Sequence, residues 1–351
     1  MYRLIIFLIS ISFIYSCQKS TDLLVAIKDP RSYTWTADTL HYPNSIQTQM
    51  SEIWASSAKD VYVMGHCDNP SGHLYHFDGK TWQTVGLGGS EGGPVHAPFN
   101  INDIYGLSQN DIYIVGNKRP SGFRQSLIVH YNGTEWEEIE VPALGELFSV
   151  WGSSPGDIWV GGNHGTLFHY DGGQWNVKNL PHPGYPDFDV SLNINGIIGY
   201  SSNYIFFFTY SVFPYGAHLN HIFTYEDNSI ALQDSLWRFD TYGLWQSPEE
   251  KIYRATSNGI HLSSDTVWEE VYGNCKAYSI HGTNDNNIFI TYASFGKYRV
   301  MHFNGTDWYE YEQLQCENVF YQDVFTIDNE VFVVGYTLGT WPSKTIVWHG
   351  Q

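Results

Sequence analysis

Apolar and polar positions along this chain alternate with a period of two in short runs. Clusters of Gly, Pro, Asn, Asp and Ser cut the runs apart. Residues 150–177, VWGSSPGDIWVGGNHGTLFHYDGGQWNV, show the pattern most plainly. Val150 to Ser153 is a short apolar run, and Ser154-Pro155-Gly156-Asp157 is a turn cluster. Ile158 to Val160 is β-prone, Gly161 to Gly165 is a second turn, and Thr166 to Tyr170 alternates. Asp171-Gly172 marks a tight hairpin, because these residues tolerate the positive φ of such turns. Gln174 to Val177 then reads as a fourth strand.

The unit recurs, and self-similarity at this period signals a repeat architecture. First strands align at Ile53-Trp54, Ile104-Tyr105, Val150-Trp151, Ile197-Ile198, Leu244-Trp245, Ile280-His281 and Val324-Phe325. Second strands follow at Val61, Ile112, Ile158, Ile205, Ile252, Ile288 and Val331. Third-to-fourth turns fall at Asp78-Gly79, Asn132-Gly133, Asp171-Gly172 and Asn304-Gly305, with degenerate versions at Glu226-Asp227 and Ser264-Asp265. A Trp marks each fourth strand: Trp82, Trp136, Trp175, Trp237, Trp268 and Trp308. Four short strands per unit fit one blade of a β-propeller. The seventh copy stops at Trp348-His349-Gly350-Gln351 without a fourth strand, while Ser32 to Leu40 carries an unassigned one around Trp35. The pattern therefore predicts an all-β, seven-bladed propeller over residues 32–351, its last blade closed by the N-terminal strand around Trp35. Closure of this kind removes two exposed sheet edges.

Insertions fall unevenly. Strands alternate in direction, so first-to-second and third-to-fourth turns share one face, and these are short. Second-to-third loops and blade connections share the other face and hold every long segment: 66–72, 86–100, 117–125, 181–195, 211–220 and 313–322. Loops on a fixed scaffold are where recognition is expected. The long ones carry His96, Phe99, His182, Tyr185, Phe188, Phe213, Tyr215, His218 and His221. Aromatic faces beside polar groups suit a glycan or a protein ligand, and His96, Phe99, Tyr185, Phe188, Phe213, Tyr215, His218 and His221 are the candidate binding residues.

Composition narrows the partner. The chain has 351 residues, 42% of them apolar, with 36 acidic against 17 basic side chains and a net charge of −19. Phosphate binding needs a cationic surface, so nucleic acid is disfavoured. Residues 1–17, MYRLIIFLISISFIYSC, read as an export signal: Arg3, then an apolar core of about a dozen residues, shorter than the roughly 20 a spanning helix needs. The segment ending at Cys17 resembles a bacterial lipobox, which implies lipidation of Cys17. Residues 18–31 are then a tether and the cell envelope the location, with the membrane contacted through the anchor alone and a monomer expected.

No catalytic set is recognisable. His76, His130, His169 and His302 recur just before the third-to-fourth turn of four blades, which fits a structural role within the blade. His218 and His221 have ligand-like spacing but no Cys or carboxylate cluster beside them, so no metal and no cofactor is expected. The ring column Trp54, Tyr105, Trp151, Trp245, His281 and Phe325 lines the channel or packs between blades. Asp60, Asp111 and Asp157 read as turn stabilisers bonding backbone N–H groups. Cys275 and Cys316 are positioned to pair as a disulfide in an exported protein, and Cys67 reads as a free thiol.

Two resemblances follow from these motifs. Asp78 to Trp82 and the Asn-Gly-Thr-x-Trp runs at Asn132 and Asn304 resemble the Asp-box of sialidase-like propellers. Here the Asp and Gly are adjacent, however, and the six Arg beyond the leader are scattered rather than grouped in a trio. More closely, VWGSSPGDIWVGG and LFHYDGGQW resemble the W-G-S-S-P-x-D-[IV]-[WY] and H-[YF]-[DN]-G-x-x-W blades of exported bacterial propeller lipoproteins. That resemblance covers nearly all of residues 32–351. Some members carry a glucosyltransferase label, yet no nucleotide-sugar or D-x-D metal site is visible here. The expectation is a lipid-anchored binding module for a glycan or protein on the long-loop face. The alternatives are a carbohydrate-active enzyme using carboxylates such as Asp187, Asp189 or Glu91, and a structural component of an envelope assembly.

Overall fold

The computed structural model describes residues 28–89, 92–181, 191–212, 218–236, 240–264 and 267–351. Seven four-stranded antiparallel sheets follow one another in the chain. Blade 1 is β2 (Thr48–Ser57), β3 (Asp60–Cys67), β4 (Leu74–Phe77) and β5 (Trp82–Thr84); blade 2 is β6 (Phe99–Ser108), β7 (Asp111–Lys118), β8 (Gln125–Tyr131) and β9 (Trp136–Ile139). Blade 3 is β10 (Leu147–Ser154), β11 (Asp157–Gly162), β12 (Leu167–Tyr170) and β13 (Trp175–Lys178); blade 4 is β14 (Ser191–Ser201), β15 (Tyr204–Val212), β16 (His218–Glu226) and β17 (Ser229–Leu236). Blade 5 is β18 (Thr241–Gln246), β19 (Ile252–Thr256), β20 (Gly259–Ser264) and β21 (Val267–Gly273); blade 6 is β22 (Lys276–Asn284), β23 (Asn287–Ser294), β24 (Lys297–Phe303) and β25 (Trp308–Glu310). Blade 7 joins β26 (Val319–Ile327), β27 (Glu330–Thr337) and β28 (Thr345–Gly350) to β1 (Trp35–Leu40).

Closure occurs as the Trp count requires. β1 pairs with β28 from Trp35↔Gly350 to Leu40↔Thr345. Trp35 thus faces the last residue of its third strand, as Trp82 faces Phe77 in blade 1. Its ring lies edge-on to Tyr311, centroids 5.0 Å apart.

Side-chain chemistry explains the repeat. The Asp or Asn of each regular third-to-fourth turn accepts two backbone N–H groups, as Asp78 does from Lys80 (2.9 Å) and Thr81 (2.8 Å) and Asn132 from Thr134 and Glu135. The following Gly takes φ near +85°, open to Gly at no steric cost. The four recurrent histidines are indeed structural: His76, His130 and His169 bond Asp60, Asp111 and Asp157 at 2.6–2.8 Å, and His302 bonds Asn287. His349 with Glu330 repeats the pair in blade 7. Each imidazole lies against a second-strand ring, for example Trp159 at 3.9 Å from His169. This corrects the turn role expected of the three aspartates. They hold the third-strand imidazole, while Ser57 and Ser108 accept the turn N–H groups of Lys59 and Asn110.

Candidate functional site

The first strands β2, β6, β10, β14, β18, β22 and β26 surround a central channel of about 620 Å³. Every one of them breaks register at the same place: between Met50 and Glu52, Ile101 and Asp103, Leu147 and Ser149, Ile194 and Gly196, Thr241 and Gly243, Ala277 and Ser279, and Tyr321 and Asp323. A bulge bends its strand and re-aims the side chain beside it. Here it turns one residue per blade, Glu52, Asp103, Ser149, Gly196, Gly243, Ser279 or Asp323, towards the channel.

That ring is an inter-blade clasp. Asp103 accepts the Val150 N–H of the next blade (2.8 Å), Ser149 accepts the Ile197 N–H (3.1 Å), and Asp323 accepts the Ile53 N–H across the closure (2.9 Å). Ser279 bonds Asp323 and receives the Val324 N–H. Gly196 has no side chain to clasp with, and its neighbour Asn195 bonds the Thr241 carbonyl instead (2.9 Å). Glu52 differs. The Ile104 N–H it would address by analogy is taken by Asp103 (2.8 Å), and Glu52 has no hydrogen-bond partner among the described residues.

Three carboxyls therefore share a channel whose wall carries no Lys or Arg side chain among the described residues. Burial raises Glu52 well above the usual carboxylate range, and repulsion from Asp323 and Asp103 adds to it. Burial likewise pushes Asp103 up to about 7 and Asp323 up to about 6, against the pull of their N–H donors.

Two residues further along each strand sits the ring column. It does both things the sequence allowed. The rings line the channel, and each also packs on the next blade. A Cβ on Gly106 would stand 2.2 Å from Trp54, one on Gly199 2.8 Å from Trp151, and one on Gly282 2.7 Å from Trp245. The Tyr105 hydroxyl donates to the Gly152 carbonyl (2.8 Å). His281 bonds Thr326 (2.8 Å) and is pushed down to about 3 by burial, so it is neutral.

The mouth on the long-loop face is aromatic. Tyr242, Tyr278, Phe320 and Tyr336 form a continuous arc over blades 5 to 7, with centroid spacings of 5.8, 4.8 and 5.5 Å, and Tyr298 flanks Phe320 at 4.4 Å. The Lys276 ammonium lies 4.4 Å from the Tyr242 centroid and 5.0 Å from that of Tyr278. Among the described residues, the exposed large apolar side chains divide in two groups. Val177, Leu232, Val267, Val271 and Tyr309 lie on outermost strands. Ile46, Phe123, Leu144, Tyr242, Phe295 and Trp341 all lie on the long-loop face. The short-turn face carries none.

The sequence candidates are scattered by comparison. His96 is exposed in the connection before β6. Phe99 is not a surface group: it opens β6, is buried, and sets its ring against His73 at 5.1 Å. His221 is not a loop residue, because β15 and β16 run on to Val212 and from His218. It is buried between Ser211 (2.8 Å) and Ser235 (2.9 Å), and burial pushes it down to about 4. His218 opens β16 opposite Val212. Tyr185, Phe188, Phe213 and Tyr215 lie outside the described residues, as do Cys17, Glu91, Trp237, His182, Asp187 and Asp189. Cys275 and Cys316 are free thiols rather than a disulfide, for they pack in different apolar clusters, Cys275 with Tyr253 and Ile280, Cys316 against Tyr321 and Leu314. Cys67 is also free, and buried. No group of three or more metal-ligating side chains is found among the described residues.

Known structures place the architecture in context. One similar chain is YCF48 bound to a D1 peptide, with 14% identity over 92% of this chain and 97% of that one, at a TM-score of 0.59. Another is the extracellular domain of a putative hybrid two-component system from B. thetaiotaomicron (14% identity, 90% of this chain, 42% of that one, TM-score 0.56). A third is the GH74 enzyme of Niastella koreensis (13% identity, 83% and 51%, TM-score 0.58). The likeness is one of fold. No family model and no curated protein matches the chain.

Proposed function

We propose that this chain is a lipid-anchored extracytoplasmic module that binds a glycan or a protein on its long-loop face. The observation that carries the reading is the one-sided distribution of exposed large apolar side chains among the described residues, with Phe295, Trp341 and Tyr242 on the long-loop face and none on the short-turn face. Large exposed apolar groups concentrated on one face mark interaction sites. Orientation agrees with an anchor at Cys17. Arg31 forms an ion pair with Asp307 at a third-to-fourth turn (2.8 Å), and Lys28 reaches the Gln351 carbonyl (2.8 Å), so the chain enters on the short-turn side. An anchor there points the aromatic mouth away from the membrane.

A carbohydrate-active enzyme is the second reading, favoured by the raised carboxyls. Glycoside hydrolysis needs two carboxyls free to act on the substrate. Asp103 and Asp323 are held by backbone N–H groups, and Glu52 alone of the three is not. That geometry supports binding over hydrolysis. The test is a glycan array and an envelope pull-down with the mature chain, run beside a Tyr242→Ser, Phe295→Ser, Trp341→Ser triple variant and a short-turn-face control, Lys59→Ser. The reading requires a bound species that the triple variant loses at least ten-fold and the control retains. Equal binding by both variants overturns it.

A further inference from the structure

We infer that the central channel receives a lysine or arginine side chain of a bound peptide, with Glu52, Asp103 and Asp323 facing the cation and the Tyr242–Tyr278–Phe320 arc seating the apolar stem. This rests on the long-loop face being the binding face and names the class of ligand it takes.

Four observations converge. The first is the cavity, about 620 Å³, framed by all seven innermost strands and opening beneath the aromatic arc. The second is charge: three carboxyls face the channel, no Lys or Arg among the described residues lines it, and the imidazole on its wall, His281, is neutral and bonded to Thr326. The third is Glu52. The clasps that occupy Asp103 and Asp323 leave it without a protein partner among the described residues, and its half-buried side chain lines the cavity. Hydrogen bonds from a cation to a carboxylate are among the stronger kind, and Glu52 is the channel carboxyl open to a donor arriving from outside. The fourth is Lys276, whose ammonium already lies over Tyr242 and Tyr278. The arc thus holds an alkyl-ammonium in this very structure, through attraction between a cation and the ring faces.

Depth distinguishes a side chain from a whole chain. Tyr242 and Tyr278 sit one position before the ring residues Gly243 and Ser279 on their strands, a rise of about 3.3 Å. A lysine or arginine side chain is longer than that step, which lets its stem lie against the rings while its head enters the channel that the three carboxyls line. Long cationic side chains divide in just this way between apolar surface and polar end.

The probes are blocked pentapeptides, acetyl-Gly-Gly-X-Gly-Gly-amide with X as Lys, Arg, acetyl-lysine or Glu, together with free spermidine. They are titrated into the mature chain at pH 8 and low salt, with binding read by chemical shift or calorimetry. Lys and Arg peptides are expected to bind at least ten-fold tighter than the acetyl-lysine and Glu peptides. Glu52→Gln should remove at least ten-fold of that affinity while its thermal melting stays at or above that of the parent, and Tyr242→Ala should weaken the Lys peptide more than spermidine. Equal binding of Lys and acetyl-lysine peptides, or full affinity in Glu52→Gln, overturns the proposal. So does spermidine binding as tightly as the Lys peptide, which would make the channel a site for small cations. A glycan or protein captured on the array or in the pull-down, with the cationic peptides silent, would sink this inference and leave the broader reading standing.

Discussion

Gly106 shows at the scale of one residue why Gly follows the aromatic position in so many blades. Its backbone needs no positive φ. What it needs is the absence of a Cβ, because the Trp54 ring of the preceding blade occupies that space at 2.2 Å. Interiors packed to this density do not absorb an added methyl without strain. Gly106→Ala should therefore destabilise the fold by about 1–3 kcal/mol. Gly173→Ala, whose Cβ would meet its nearest neighbour, Asp171, at 3.5 Å, should change stability by less than about 0.5 kcal/mol. Shrinking the ring tests the cause. In a Trp54→Leu background, Gly106→Ala should cost at least about 0.5 kcal/mol less than it does alone, measured by urea unfolding. Additive costs would mean that the glycine serves some other purpose.

Among the elements, β1 has the most to do, since blade 7 depends on thirteen residues from the far end of the chain, 28–40. They supply the β28 partner, the Trp35 ring against Tyr311, and the Asp38 carboxylate that accepts from the Trp82 indole (3.0 Å). A chain beginning at residue 41 exposes the β28 edge, and unprotected edges pair with other chains. That chain should elute from size exclusion as oligomers and melt well below the parent. A synthetic peptide of residues 28–40, added in trans, should restore the monomer, and its failure to do so would count against closure as the reason. This element was legible beforehand because six Trp-bearing fourth strands had to serve seven blades. At the blade 4 hairpin the sequence misleads for a local reason. Phe213-Pro214-Tyr215-Gly216 reads as a turn cluster and predicts a loop over 211–220 with His221 at its edge, whereas β15 runs to Val212 and β16 starts at His218, which buries His221. The bulge ring was invisible because Glu, Asp, Ser and Gly share no chemistry. They share a place, one residue before the apolar position, and only the closed ring gives that place a meaning. The aromatic mouth was missed likewise, since its rings sit on separate strands in three blades and form an arc only after closure.

For the molecule as a whole, the carboxyls set how stability depends on pH, and two sets oppose each other. For Asp60 and Asp157, burial works against ionisation, but bonds from His76 and Ser56 to the first, and from His169, Ser153 and Trp159 to the second, outweigh it and hold both below the usual range. Groups lowered by folding stabilise above their unfolded pKa, and that stability is lost as pH falls through the folded value. The channel set runs the other way. Asp103 at about 7, Asp323 at about 6 and Glu52, held well above the usual carboxylate range by burial, all keep protons that the unfolded chain releases near pH 4. Their protonated state stabilises fully below the unfolded pKa and the advantage is lost as pH rises towards 7 and beyond. The net charge of −19 adds general repulsion on the same side. Stability should therefore peak near pH 5 and decline towards pH 8. Glu52→Gln isolates the channel term, because Glu52 clasps no neighbouring blade and its amide replacement breaks no hydrogen bond among the described residues. The variant should gain about 1–2 kcal/mol at pH 8 and almost nothing at pH 4, where Glu52 is already neutral, as read from urea midpoints at the two pH values. An equal gain at both would show that the amide improves packing, and that charge held in the channel is not what the fold works against.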